Sequence, residues 1–317
     1  MSDEKIATRV AYGKALLEIG ADERIVALDA DLGCCTRTDA FAERYPDRHF
    51  NVGIAEANMV GVAAGMATCG KKPYVHSFAM FLAGRAFEQI RNSVCYPNVN
   101  VVLAGTHAGL TVGKDGATHQ CLEDIGLMRV LPNMKVFVPA DQYDTEKLVR
   151  LSASLDGPAY IRLSRYEGRN ITDPEAEVHL GGSHLLRSGD DVTIFACGLM
   201  VERAMDCAAR LEEEGISVRV IDVYCVKPID RARILAASRE TACLVSMEEH
   251  NIYTGMGSAV AEVLSEEPGA PLLRIGVEDA FGKSGDEEQL LEDYGLSTER
   301  LVTRIRAFLE KRKEARR

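Results

Sequence analysis

Thr106-His107-Ala108-Gly109 and Gly113-Lys114-Asp115-Gly116-Ala117-Thr118-His119-Gln120 put two histidines and an aspartate on one glycine-rich loop. Imidazoles beside a carboxylate on such a loop suit recognition of a polyol or phosphate together with proton transfer. Zinc is a poorer reading, because no further nitrogen or sulfur ligand stands at a zinc spacing. Glu56 offers a second chemistry. It opens a small-residue helix, Ala55 to Thr68, just after an apolar strand that ends at Gly53. Read alone, a carboxylate there is favoured by the helix dipole. Phe78 and Phe81 lie in His76-Ser77-Phe78-Ala79-Met80-Phe81, a strand-to-helix corner whose rings read alone as core packing. Arg9, in Ala7-Thr8-Arg9, and Arg165, in Leu163-Ser164-Arg165, read alone as surface charges. A guanidinium fork can nevertheless grip one anion with two hydrogen bonds.

These groups need elements to hold them. Short apolar runs predict strands at 24–28, 49–52, 73–76, 99–103, 135–138 and 159–162. Helical stretches fall between them at 5–19, 38–45, 55–69, 80–95, 120–129 and 142–154. Such alternation predicts a parallel sheet covered by helices on both faces. A polar, turn-rich segment at 169–183 reads as a linker. A second block then places strands at 192–197, 217–222, 242–246 and 272–275, with helices near 200–214, 230–238, 256–266 and 297–314. The fold class is therefore α/β: two consecutive domains, 1–168 and 184–317, each a mainly parallel sheet flanked by helices. Open α/β sheets bind ligands beyond the carboxyl ends of their strands. In the first domain Asp29, Asp31, Glu56, Ser77, Phe78, His107 and Arg165 all follow strands. The second domain shows no comparable set.

The run Asn51-Val-Gly-Ile-Ala-Glu56-Ala-Asn-Met59 resembles the glutamate segment of transketolase-like thiamine diphosphate enzymes. The loop from Gly113 to Gln120 resembles the transketolase loop Gly-Glu-Asp-Gly-Pro-Thr-His-Gln, with Lys114 and Ala117 replacing its Glu and Pro. Ser246-Met-Glu-Glu-His250, followed by Gly255-Met-Gly257-Ser-Ala-Val260, is similar to the C-terminal domain of the same superfamily; its glycines read as a packing turn, not a nucleotide loop. The resemblance implies that Glu56 hydrogen-bonds the aminopyrimidine of thiamine diphosphate, that Phe81 stacks on it and that Phe78 forms another wall. It implies that Asp31 and Leu32 face the channel shared by cofactor and substrate. His119 would act on hydroxyls of the ketose donor and of the transferred two-carbon unit. Asp115 would hold the acceptor's 2-hydroxyl, and Arg9, His107 and Arg165 would hold the sugar phosphate. 1-Deoxyxylulose-5-phosphate synthase has arginine where His107 stands, which favours the transketolase branch. Two further positions depart from the family pattern. Gly84 replaces an expected aromatic, and Cys35 replaces an expected phosphate-binding serine, with Thr36 beside it as a substitute.

The Gly-Asp-Gly segment and downstream Asn by which these enzymes anchor the diphosphate through Mg²⁺ do not occur in the sequence. The resemblance thus implies the C-terminal subunit of a split transketolase, with no metal ligand of its own. It would work with an N-terminal subunit that carries the diphosphate and Mg²⁺ site, as an α2β2 heterotetramer acting on sugar phosphates. The alternatives are half of a 1-deoxyxylulose-5-phosphate synthase, a 2-oxo acid dehydrogenase β subunit, or a non-catalytic subunit of the same fold. Composition agrees with a two-domain protein. The chain has 317 residues, 46% of them hydrophobic, and its net charge of −11 disfavours nucleic acid or an anionic membrane as partner. No apolar run approaches the ~20 residues of a membrane span, and Met1-Ser-Asp-Glu-Lys5 lacks a signal-peptide pattern. Nine scattered cysteines without a C-x-x-C pair predict reduced thiols in the cytoplasm. Lys311, Arg312, Lys313, Arg316 and Arg317 form a basic helix end.

Overall fold

The computed structural model describes residues 5–315; Met1 to Glu4 of the N-terminal pattern and Arg316 and Arg317 of the basic tail lie outside them. The first domain is built on a seven-stranded sheet. Its order is Cys225–Lys227, Lys135–Phe137, Ala159–Arg162, Val102–Thr106, Lys72–Phe78, Ile25–Asp29 and His49–Asn51. All neighbours pair parallel except Cys225–Lys227, which runs antiparallel to Lys135–Phe137. Central strands such as Ile25-Val-Ala-Leu-Asp29 are buried at every position, which is why they read as unbroken apolar runs rather than alternating ones.

The second domain carries a five-stranded sheet in the order Leu272–Val277, Cys243–Asn251, Val192–Ala196, Val218–Asp222 and His184–Arg187, with only the last strand antiparallel. The two domains share one apolar cluster. Leu28, Val75, Leu103 and Tyr160 of the first belong to the same core as Phe195, Ile221, Leu244 and Val260 of the second. The segment 169–183 is strapped down rather than loose: Ile171 N, Thr172 N and Thr172 Oγ1 all donate to Asp141, at 2.7, 2.7 and 2.8 Å.

Several sequence expectations need correction. The strand at 49–52 is an edge strand, not a buried one, and leaves Phe50 exposed. Residues 80–95 are not one α-helix: two π-helical turns, Met80–Arg85 and Ile90–Cys95, flank the single turn Phe87–Gln89. The helix expected from residue 120 starts only at Asp124. The strand Cys225–Lys227 and the helix Glu287–Asp293 were not legible. Among the described residues no helix is long and apolar enough to cross a membrane.

Candidate active site

Glu56 heads the helix Glu56–Thr68, which Gly53, with φ of 74°, lets start directly from the end of the edge strand. No side chain caps this helix start. The Glu56 carboxylate is 4% exposed and faces the end of the neighbouring strand, where Ser77 Oγ lies 3.5 Å from Oε1. Arg85 Nη1 lies 3.3 and 3.4 Å from the two carboxylate oxygens. Sequence reasoning missed Arg85, which the π-helical turn delivers to this point.

The same strand end carries the aromatic wall. Phe78 and Phe81 lie nearly parallel, with centroids 5.6 Å apart. His107 stacks on Phe78 at 3.8 Å, and His119 meets Phe81 edge-on at 5.2 Å. Residues from three separate segments thus converge beside Glu56. A Cβ at Gly84 would come 2.4 Å from Met80 Cε, the end of a flexible side chain that would have to move aside.

Farther along lies a cluster of charged groups. Arg9 Nη1 donates to Cys35 O at 2.8 Å and lies 3.5 Å from His107 Nε2. Arg165 Nη1 donates to Val112 O at 3.0 Å and sits 3.8 Å from Asp115. The two arginine segments are stapled together: Ser164 N donates to Thr8 Oγ1 at 2.7 Å, and Arg9 N donates to Ser164 O at 3.3 Å. Burial, then the charges of Arg37 and Arg165, lower the pKa of Arg9. Burial, then Arg9, Arg165 and His119, push His107 down to about 3, so its ring is neutral at neutral pH. Arg9 Nε is buried without a protein hydrogen-bond partner. Thr36 does not stand in for the expected serine, since its hydroxyl is buried and lies 3.1 Å from Leu32 O as a donor. Asp31, at φ 63°, is exposed at the carboxyl end of its strand, with Leu32 beside it half-buried. The Asp29 carboxylate holds both in place by accepting Asp31 N at 2.9 Å and Leu32 N at 3.3 Å.

The histidine loop rests on the second domain. Glu249, fully buried, accepts Thr111 N at 2.6 Å, and Arg162 Nη2 donates to Glu249 O at 2.9 Å. Gly109 is tolerated only as glycine: its φ is 88°, and an added Cβ would lie 2.3 Å from the Glu249 carboxyl. Neighbouring Glu248 explains the turn at Gly255 and Gly257, because it caps the following helix through Met256 N and Gly257 N at 2.6 and 2.9 Å. His250 is also buried, with Gly126 N donating to its Nε2 at 3.4 Å, and serves the domain interface.

Burial pushes Glu249 up to about 7, against the pull of Arg162 and the Thr111 N–H. A folded-state pKa above the unfolded ~4.3 means that this group stabilises the fold fully below the unfolded value. That contribution is lost as pH rises through about 7. Glu249→Gln removes the loss. The Tm advantage of the native chain over Glu249→Gln should therefore shrink between about pH 5 and about pH 8 in calorimetry, and a difference independent of pH would contradict this.

Family comparison agrees with the geometry. Residues 4–170 match the transketolase pyrimidine-binding domain, and residues 181–301 match the transketolase C-terminal domain. The chain belongs to the transketolase family. A solved structure described as a split-gene transketolase, inactive β4 tetramer, is similar at 50% identity with a TM-score of 0.90, over 96% of this chain and 99% of that one. A Methanocaldococcus jannaschii protein provisionally named transketolase C-terminal section is 44% identical over 96% of each chain. A 6-deoxy-6-sulfo-D-fructose transketolase subunit of Clostridium sp. is 40% identical over 96% of this chain and 95% of its own length. The chain spans about half the length of the full-length transketolases it matches. It corresponds to their pyrimidine-binding and C-terminal domains, the C-terminal part of a split transketolase.

Proposed function

We propose that this chain, joined to a separate diphosphate-binding subunit, transfers a two-carbon ketol group from a ketose phosphate to an aldose phosphate. The observation that carries this reading is the meeting of Glu56, Phe81, His119 and His107 beside Arg9 and Arg165. The site fits half of thiamine diphosphate. A buried carboxylate with only long contacts and a pair of near-parallel phenyl rings suit a flat, basic heterocycle. No comparable anchor for a diphosphate or Mg²⁺ is recognisable in the sequence, so the partner would supply it. When bound, the cofactor supplies the carbanion chemistry. Glu56 would donate a hydrogen bond to, or share a proton with, the aminopyrimidine ring nitrogen. Phe78 and Phe81 fix the ring plane. His119 shuttles hydroxyl protons of the sugar, and Asp115 orients the acceptor. Arg9, Arg165 and the neutral His107 hold the terminal anion at the channel mouth.

The inactive homotetramer reported for the related split-gene chain supports the need for a second subunit. In the active assembly we place two copies of each subunit, with sites between unlike chains, in the cytoplasm. Ketol transfer from xylulose 5-phosphate to ribose 5-phosphate, assayed with the partner present, tests the function. A sulfonated ketose belongs in the same assay, because the Clostridium relative's name carries one and the guanidiniums suit either anion. Phe81→Ala should weaken thiamine diphosphate binding by about 5–10-fold while leaving Tm nearly unchanged, since an aromatic contact is worth ~1 kcal/mol. Unchanged affinity in a titration would remove Phe81 from the site.

A further inference from the structure

Arg85 touches both groups that an aminopyrimidine would use. It closes the π-helical turn Met80–Arg85, its Nη1 lies 3.3 and 3.4 Å from the Glu56 oxygens, and its guanidinium carbon is 4.1 Å from the centroid of Phe81. Guanidinium and aminopyrimidine share the features these contacts select. Both are flat, both set a nitrogen against the carboxyl group of Glu56, and both stack on an aromatic face. The Glu56 contacts are also longer than the ~2.7–2.9 Å of a well-made charge-assisted hydrogen bond. The Arg85 side chain is 53% exposed, so solvent can receive it when it leaves. Single-turn π segments of this kind frequently mark functional sites.

Resting on the reading of Glu56 and Phe81 as cofactor-binding groups, we propose that Arg85 is a placeholder for the aminopyrimidine. It satisfies Glu56 and Phe81 while the cofactor is away and swings toward solvent when thiamine diphosphate enters. Arg85 then sets cofactor affinity, because each binding event must break its two contacts. It also keeps a buried carboxylate partnered in a chain that has not yet met its other subunit.

The test is calorimetric titration of thiamine diphosphate with Mg²⁺ into the complex of this chain with its diphosphate-binding partner. Arg85→Met keeps the apolar stem and removes both contacts, so its Kd should fall by about 3–10-fold, the worth of one half-exposed ion pair plus one cation–π contact. Arg85→Lys keeps the charge without the planar fork and should fall between native and Arg85→Met. In a Glu56→Gln background the gain from Arg85→Met should shrink, since the ion pair is already gone. An unchanged or higher Kd for Arg85→Met, in a complex whose native form binds the cofactor and whose Glu56→Gln variant is inactive, overturns the placeholder alone. A Glu56→Gln complex that binds cofactor and turns over like the native one overturns the reading of the site, and the placeholder with it.

Discussion

Glu56→Gln should lower ketol transfer by about 10²–10⁴-fold, the range over which a positioned proton-transfer group contributes. The side chain keeps its volume, and an amide oxygen still accepts from Ser77 and Arg85, so Tm should stay close to native. What the amide cannot do is give up or share a proton at the ring nitrogen as a carboxyl group does. The loss should therefore appear in kcat and kcat/KM together, as for an interaction made in the transition state. Full-length folding and complex formation, followed by circular dichroism and gel filtration, separate this outcome from simple unfolding. Near-native turnover in Glu56→Gln would falsify the role assigned to this residue.

A second large effect is expected at the anion end. Each charge-assisted hydrogen bond to a phosphate is worth about 1.5–3 kcal/mol, so Arg9→Leu or Arg165→Leu should raise KM for phosphorylated sugars by about 10–100-fold. Because the phosphate lies away from the bond being broken, kcat should change little, which is the signature of lost uniform binding. Unphosphorylated sugars should not discriminate between native and variant. Arg165→Leu carries a further consequence: it frees Asp115, whose carboxylate lies 3.8 Å from Arg165. The two losses are coupled through the Thr8–Ser164 staple, so the double variant should fall short of additivity. A KM unchanged in both single variants would move the phosphate elsewhere.

Much of the candidate site was legible in the chain because its residues sit where strands end. Parallel strands buried on both faces write themselves as apolar runs, and the residues at their carboxyl ends are where open α/β sheets offer a ligand site. Glu56, Phe78, His107 and Asp31 were located in this way. Arg85 was not, because a π-helical turn inserts a residue into the helical register and turns the next side chain onto a face that α-helical spacing does not anticipate. Glu249 was hidden for another reason. Its contact with Thr111 joins residues far apart in sequence, and a buried glutamate in a strand carries no spacing signal. The strand Cys225–Lys227 escaped similarly: it is too short for a period and leaves its own domain to finish the sheet of the other.

The decisive measurement is ketol transfer from xylulose 5-phosphate to ribose 5-phosphate, with thiamine diphosphate and Mg²⁺, by this chain alone and mixed with a subunit bearing the Gly-Asp-Gly segment. Turnover in the mixture and none from the chain alone is the expected result. Turnover by the chain alone, or none from a mixed complex that binds the cofactor and is offered both phosphorylated and sulfonated ketoses, would contradict it.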